Sequence, residues 1–366
     1  QSFDGTDQTA NFKDYTQLSV PARIGYKKSV PFAMSATELR DALQENRLGD
    51  AAKQKLASDI NVAVMNIAAN QGTCFVKRSA AAVGFDDVAQ CEAAFNEIGV
   101  MQGDRYLALS TRDYNNMGNN LATRTLDNSK SLTAYERALV GRVASFDTYK
   151  LDYANRKAAA AGGGSLTVDT RAAASNYYVP VATSTASSGE VGNVDNRYQT
   201  ITISSTTSVA AGDAFTIAGV NSCHLITKGD TGQLKTFRVI SVPSSTTLVI
   251  SPPIISNQGA SDAEAEYQNC IVTTSASAAI VFLNTVSAYM NPFWRKDAIA
   301  ILPGRYAVPA DAGVQVLRAT TDQGIEIVMS KFYDINTMKT KFRVDTMFGV
   351  VNLQPEMTGI MMFAQT

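Results

Sequence analysis

Residues 190–220 read EVGNVDNRYQTITISSTTSVAAGDAFTIAGV, a block rich in Thr, Ser, Val and Ile with a Gly-Asp turn at residues 212–213. β-Branched residues between turn-forming clusters favour strands. From residue 167 to about residue 274 no convincing helix pattern appears. The strand candidates in this region are 198–203, 214–217, 236–242 and 246–250. Short strands at this spacing predict a small antiparallel barrel or sandwich, in which the Gly-Asp turn shapes a hairpin and binds nothing.

The sequence on both sides of this block has helical periodicity. Ser35 to Glu38 fit a capping box, and apolar residues at spacings of mainly four continue to Gly72, which predicts a long spine helix. Gly49-Asp50 either divides this helix or leaves it continuous. Three further helices are predicted, at 85–101, 131–146 and 275–290. The flanks therefore predict a mixed α+β host.

The β-rich block is expected to be inserted into this host. Residues 158–165, AAAAGGGS, have the composition of a linker and mark one seam. Residues 105–110 are predicted to form a buried strand of the host, and residues 293–366 alternate short strands with turns. An insertion of roughly 110 residues is tolerated at an exposed loop, because longer loops add little entropy cost.

Residues 18–32 have a different pattern, with apolar residues at nearly every even position. This period of two predicts extended structure, and Pro21 and Pro31 suit an edge strand or a projecting arm. The segment is long for a strand of a compact domain. An arm of this kind needs a neighbouring surface on which to lie.

The composition excludes several classes of protein. The chain has 366 residues, a net charge of −1, 45% apolar and 18% charged residues, which is typical of a folded protein without the basic excess of a nucleic-acid binder. No apolar run is long enough to span a membrane. The chain starts at Gln1 without a methionine, so its N-terminus was processed or an upstream segment is missing.

Catalytic and metal-binding patterns are scarce. His224 is the only histidine, and no nucleophile elbow, phosphate loop or dinucleotide fingerprint accompanies it. No CxxC pair occurs, so packed, reduced thiols are expected, although Cys223 and Cys270 could pair in an oxidising compartment. The four cysteines are Cys74, Cys91, Cys223 and Cys270. The sequence therefore predicts no enzyme, no cofactor and no metal.

The stretch 193–220, NVDNRYQTITISSTTSVAAGDAFTIAGV, resembles the inserted domain of the P22-type podovirus major coat protein. Further blocks that are similar to this family follow in the same order along the chain. They are ELRDAL at 38–43, KLASDINVAVMNIAANQG at 55–72, RDYNNMGNNL at 112–121 (a loop of the central domain), VASFD at 143–147 (the strand before the insertion) and NTVSAYMNPFWRKDAIAI at 284–301.

The resemblance implies an α+β, HK97-like phage capsid fold with an inserted all-β Greek-key barrel, the I-domain. It implies a homo-oligomer of pentamers and hexamers around a scaffolding protein, with a portal protein at one vertex. The shell would enclose double-stranded DNA without sequence-specific binding, with a triangulation number of seven, as a virion capsid assembled in the bacterial host cytoplasm. The implied segments are 1–34 (extended arm and flanking strands), 35–84 (peripheral domain with spine helix), 85–164 (axial domain, first part), 165–287 (inserted barrel), 288–328 (axial domain, return) and 329–366 (peripheral strands and tail).

Contacts between subunits are expected to use aromatic and charged side chains. In the arm, Tyr26, Phe32 and the basic pair Lys27-Lys28 are hypothesised to contact an adjacent subunit. The other candidates are Glu190, Asp195, Arg197 and Trp294. One departure from the family lies at 183–190, TSTASSGE, a loop that is acidic in the best-known relative and carries a single carboxylate here. The alternative function is a secreted or surface β-rich carbohydrate-binding or adhesin protein.

Overall fold

A computed structural model of the chain describes residues 4–9, 11–40, 42–122, 140–161, 166–169, 178–259, 261–275, 277–308, 313–321 and 324–366. Most of the helix predicted at 131–146 lies outside these residues. The chain divides into two compact units. Unit 1 comprises Gln1–Pro21, Ala68–Ala298 and Leu353–Thr366, and unit 2 comprises Ala22–Ile67 and Ile299–Asn352.

The described residues form mostly strands, with a few helices. The strands are β1 (Tyr26–Ser35), β2 (Cys74–Lys77), β3 (Arg105–Ser110), β4 (Arg142–Val143), β5 (Phe146–Leu151), β6 (Arg156–Lys157), β7 (Thr183–Thr185), β8 (Val191–Asn193), β9 (Gln199–Thr202), β10 (Ala214–Cys223), β11 (Asp230–Ser241), β12 (Thr247–Ser251), β13 (Ile280–Phe282), β14 (Ala288–Tyr289), β15 (Asn291–Arg295), β16 (Ile299–Pro303), β17 (Gln315–Thr320), β18 (Glu326–Asp334), β19 (Lys339–Asn352) and β20 (Thr358–Met362). The α-helices are α1 (Ala42–Gln71), α2 (Phe85–Ile98), α3 (Thr111–Ala122) and α4 (Asp262–Tyr267), and short 3-10 helices span Lys296–Ala298 and Pro355–Met357.

Unit 2 packs most of α1 on a five-stranded sheet. The sheet has the order β1-β19-β18-β17, with β16 also paired to β19. Leu56 and Ala63 of the helix are buried against the sheet, in clusters that include Val344 and Phe348. The predicted spine helix is confirmed, and it continues past Gly49-Asp50 because a single glycine costs only about 1 kcal/mol in a helix.

The host part of unit 1 is a six-stranded sheet in the order β2-β20-β15-β3-β5-β4. The pairs β2/β20 and β3/β5 are parallel, and the others are antiparallel. Aromatic rings meet in its core, where the ring centroid of Phe95 lies 4.8 Å from that of Phe293 and 5.9 Å from that of Phe146. The predictions of a helix over 85–101 and a strand over 105–110 are confirmed.

The inserted region forms the predicted antiparallel sheet, in the order β13-β10-β11-β12-β9. Residues 167 and 168 close it, because Thr167 bridges to Ala279 beside β13 and Val168 bridges to Ile203 beside β9. A separate apolar core fills the interior, in which Phe215 stacks on Phe237 at 5.7 Å. At the neck, β6 and β14 pair with each other, so the chain leaves and re-enters the host side by side.

Four predictions of secondary structure are wrong. The region from residue 167 to about residue 274, where no helix is predicted, contains α4, which a capping box of Ser261 and Glu264 starts. Residues 275–290 form β13 and β14 rather than a helix, because Ile280 and Phe282 pair with β10 and complete the barrel. Residues 112–121 form α3 rather than a loop, since Tyr114 and Met117 share one buried face. Residues 140–146 are not helical, because a tight turn joins β4 to β5.

The predicted capping box at residues 35–38 forms as a local turn. Ser35 N donates to Glu38 Oε2 at 2.8 Å, and Glu38 N donates to Ser35 Oγ at 3.3 Å. The helix itself begins at Ala42, because the turn ends β1 before α1 starts.

Candidate assembly surfaces

The turn between β18 and β19 in unit 2 carries a group of exposed apolar side chains. Lys341 Nζ pairs with Asp334 Oδ2 at 2.8 Å, and Asn336 N donates to Asp334 Oδ1 at 3.1 Å, so polar contacts shape the turn. The apolar side chains around it have no such role. Their exposed fractions are 50% for Phe332, 49% for Tyr333, 82% for Ile335 and 62% for Met338. We call these four residues the hairpin tip. Phe332 and Tyr333 lie on opposite faces of β18 because they are consecutive strand residues, and large apolar side chains exposed around one turn are typical of a protein contact surface.

The candidate residues of the arm lie on both faces of β1. Tyr26 stacks on Phe348 at 5.2 Å and Phe32 on Phe342 at 5.0 Å, so both rings pack within unit 2. Because side chains alternate along a strand, Lys28 shares their face and is half-buried, whereas Lys27 is exposed on the opposite face. Among these four candidates only Lys27 is exposed.

The candidates of the barrel lie around the turn before β9. The guanidinium of Arg197 donates to Asp195 from Nε to Oδ1 at 2.8 Å and from Nη2 to Oδ2 at 2.6 Å, and it lies over the ring of Tyr198. This is a local ion-paired turn. The neighbouring hairpin of β7 and β8 is exposed at all six positions, and Glu190 is exposed in its loop.

Trp294 lies in the host sheet. It pairs with Thr358 of β20 on one side and with Tyr106 of β3 on the other, and its ring is 6.1 Å from the ring of Tyr106. The side chain is half-buried, so only part of it is free for a further contact.

The Gly-Asp turn at 212–213 corrects an expectation, because Asp213 binds the host. The residue is 1% exposed, and its carboxylate accepts hydrogen bonds from Ala210 N and from Asn284 Nδ2. Lys157 Nζ, from the neck strand β6, lies 2.9 Å from Asp213 Oδ1. The turn therefore holds the barrel to its neck. It does not join a hairpin, because the strands on either side of it, β9 and β10, do not pair with each other in the sheet.

Strand β11 provides further contacts with the host within unit 1. Thr236 Oγ1 donates to Thr73 O at 2.6 Å and accepts from Phe75 N at 3.3 Å, which covers the open edge of the host sheet at β2. The buried Lys235 forms an ion pair with Glu356. A cluster of apolar residues fills the junction beside them: Ala69, Phe75, Ala214, Met290, Ile360 and Met362.

His224, the only histidine, packs against the end of α2 in unit 1. Its Nδ1 accepts a hydrogen bond from Thr227 N, and a Cβ added to Gly99 would lie 2.6 Å from its Cε1 atom. Burial raises the pKa of Cys74 and of Cys270 to about 12, which removes the nucleophilic thiolate at neutral pH. Within the described ranges, no group of three or more His, Cys, Asp or Glu side chains could hold a metal ion.

The helices within the described ranges do not combine the length and apolarity that a membrane crossing requires. The exposed hairpin tip of unit 2 was missed by the sequence reasoning. Its signal is the segment KFYDINTMK at 331–339, in which four large apolar residues surround a turn that should be polar.

Comparison with known protein families gives a match along nearly the whole chain. A family model described as P22 coat protein, gene protein 5, matches residues 1–364. The CUS-3 coat protein I-domain is 42% identical over 34% of this chain and 98% of its own, with a TM-score of 0.26. A structure from Mycobacterium phage Che8 is 9% identical over 99% of this chain and 81% of its own, with a TM-score of 0.42. The capsid structure of cyanophage P-SCSP1u is 11% identical over 100% of this chain and 81% of its own, with a TM-score of 0.37.

The family match extends over both compact units and does not stop at the barrel. It does not favour the alternative of a secreted or surface carbohydrate-binding protein. The chain is a structural component of a phage virion with the HK97-like capsid fold, forms homo-oligomers in the capsid, and is not an enzyme. Because the family model matches residues 1–364, the chain belongs to the P22 coat protein family.

Proposed function

We propose that this coat protein assembles into pentamers and hexamers around a scaffolding protein, with a portal protein at one vertex. Assembly takes place in the bacterial cytoplasm, and the finished shell encloses double-stranded DNA without reading its sequence. The net charge of −1 supports enclosure rather than tight binding, because proteins that grip DNA neutralise many phosphates with basic residues.

We assign the peripheral domain to 35–84 and 329–366, the axial domain to 85–164 and 288–328, the barrel to 165–287 and the arm to 1–34. The separate apolar core of the barrel supports its assignment as an insertion, since the buried residues of that core all fall between Leu166 and Ile280. The pairing of β6 with β14 supports a neck at its boundary.

The observation that carries this proposal is the hairpin tip. Four large apolar side chains exposed at the end of one hairpin lower the solubility of a free monomer. If a second copy of the chain covers them, their burial stabilises the contact between the two copies. Because the family forms homo-oligomers, the occupant we propose is a second copy. Lys27, Glu190 and the Asp195-Arg197 turn are secondary candidates for contacts between copies.

The test replaces one apolar residue of the tip in the full chain, co-expressed with its scaffolding protein. Ile335→Asp should abolish closed shells while the unassembled subunit remains folded, as judged by electron microscopy and circular dichroism. Asn336→Asp adds the same charge at the neighbouring exposed position without removing an apolar group, and it should assemble normally. Shells of unchanged yield from Ile335→Asp would refute the contact, and absence of any shell or capsomer from the parent chain would refute the assembly proposal.

A further inference from the structure

The last turn of α1 ends against the inserted barrel in unit 1. The final carbonyl groups of a helix have no donor within the helix itself. Ala69 O is one of these groups, and it accepts a hydrogen bond from Arg238 Nη2 of β11 at 2.7 Å. The preceding carbonyl is occupied locally, because Gly72 N donates to Ala68 O at 3.2 Å. The barrel therefore supplies one of the donors that the end of the spine helix lacks.

The same guanidinium supplies a charge that the helix lacks. The C-terminal end of a helix carries partial negative charge and is stabilised by a nearby cation. The last turn of α1 contains no basic residue. Arg238 comes from a strand 169 positions later in the chain, so the favourable cation is available only when β11 lies against the helix.

Arg238 is fully buried, which makes its contacts energetically important. Its exposed fraction is 0%, and its Nη2 atom also lies 3.9 Å from Met290 Sδ. Burial lowers the pKa of Arg238 to about 10, and the charge of Asp213 opposes that change, so the guanidinium stays charged at neutral pH. A buried cation is strongly disfavoured unless acceptors and counter-charges surround it.

The protein gives this cation few acceptors in the part of the chain that the structure describes. Its Nε and Nη1 atoms have no hydrogen-bond partner there, and neither does Oγ of Ser251, the residue opposite Arg238 in β12. Among described oxygen atoms, Ala69 O is the one to which Arg238 donates. Losing that carbonyl would therefore leave a buried charge almost without protein partners.

We propose that Arg238 is a positioning residue that makes the last turn of α1 depend on the docked barrel. The dependence runs both ways, because the helix end needs the cation and the buried cation needs the helix carbonyl. Strand β2 begins at Cys74, directly after this turn, so the barrel also sets where the spine helix stops and the host sheet starts. The contacts of Arg238 that carry this dependence lie within unit 1.

The test is hydrogen exchange on the full, unassembled chain, read by peptides. Arg238→Met removes the donor and the charge and keeps an unbranched apolar side chain. The amides of residues 70–72 should exchange about tenfold faster or more, as expected for the loss of a hydrogen bond from a charged group. Residues 52–64 of α1 and residues 247–251 of the barrel should keep the parent rates.

A matched control comes from the same strand. Thr236→Val removes the contacts to Thr73 O and Phe75 N and leaves Arg238 in place, so it should accelerate exchange at residues 73–75 and spare 70–72. Unchanged exchange at 70–72 in a folded Arg238→Met chain would overturn the proposal, as would equal acceleration throughout α1. If Arg238→Met does not fold, Arg238→Lys must protect 70–72 better than Arg238→Gln does, and equal rates would overturn it.

Discussion

Lys157 Nζ lies 2.9 Å from Asp213 Oδ1, and the two side chains are 12% and 2% exposed. This ion pair joins the neck strand β6 to the turn that precedes β10 in the barrel. Asp213→Asn removes the carboxylate of this pair, so Lys157 loses its ion pair and keeps its hydrogen bond to Ala211 O. Breaking a buried pair from one side costs about 3–5 kcal/mol, so the free energy of unfolding should fall by that amount in urea titrations.

The control for this prediction is an exposed pair. Asp50 and Lys53 lie 3.4 Å apart on α1 with exposed fractions of 77% and 71%, and Asp50→Asn should leave the urea midpoint unchanged. Equal midpoints for Asp213→Asn and the parent chain would show that the junction does not depend on this charge.

Gly99 ends α2 in a left-handed conformation, with φ of 88°, and closely approaches His224. Gly99→Ala should cost about 1–2 kcal/mol for the backbone and a further 1–3 kcal/mol because the imidazole has to move. Gly103 has φ of 112° and open space around its Cα, so Gly103→Ala should show the backbone cost alone. Adding His224→Ala should remove the cost of moving the imidazole in the Gly99→Ala chain and should not stabilise the Gly103→Ala chain. Thermal unfolding of the two single variants and of the two double variants with His224→Ala measures this.

The two lysines of β1 should respond differently to charge reversal. Lys28 is half-buried on the face of Tyr26, so Lys28→Glu should lower the free energy of unfolding by about 1–3 kcal/mol. Lys27 is exposed, so Lys27→Glu should leave stability unchanged and lower the yield of shells in sedimentation. An unchanged yield would remove Lys27 from the candidate contacts.

The buried thiols predict a pH dependence. The pKa of Cys74 and Cys270 is about 12 in the folded chain against an ordinary value of 9.0, so above pH 9 the unfolded chain loses these protons first. These groups should therefore leave the free energy of unfolding unchanged below pH 9. Above pH 9 the free energy of unfolding should fall as the pH rises towards 12. At pH 8 the folded chain should resist iodoacetamide and the urea-unfolded chain should react; rapid alkylation of the folded chain would contradict the burial.

The sequence was sufficient for elements whose own residues specify them. The spine helix and α2 follow from apolar spacing, and the barrel strands follow from β-branched runs between turns. Residues 275–290 could not be predicted, because Ile280 and Phe282 become strand residues only by pairing with β10. Residues 112–121 have Asn-rich, weakly helical composition, and burial of Tyr114 and Met117 overrides it.

The assembly surfaces were harder to predict, since exposure is decided by packing. The sequence does not indicate that β1 pairs with β19 along its full length or that Tyr26 and Phe32 stack inside unit 2, and their contact with an adjacent subunit stays a prediction. The hairpin tip had a readable signal in its sequence. Arg238 had none, because nothing near residue 238 indicates that its partner is a carbonyl at residue 69.

Because β6 pairs with β14, the barrel could be deleted from the chain with little change to the host backbone, but the deletion would remove contacts that the host uses. The two ends at Lys157 and Ala288 face each other across one pair of strands, about 5 Å apart, so a short turn could rejoin the host. Such a deletion would nevertheless remove the Arg238 guanidinium from Ala69 O and the Thr236 hydroxyl from the edge of the host sheet at β2. Without the barrel, the host backbone could be rejoined, but the end of α1 and the edge of β2 would each lack a hydrogen-bond donor that the barrel supplies.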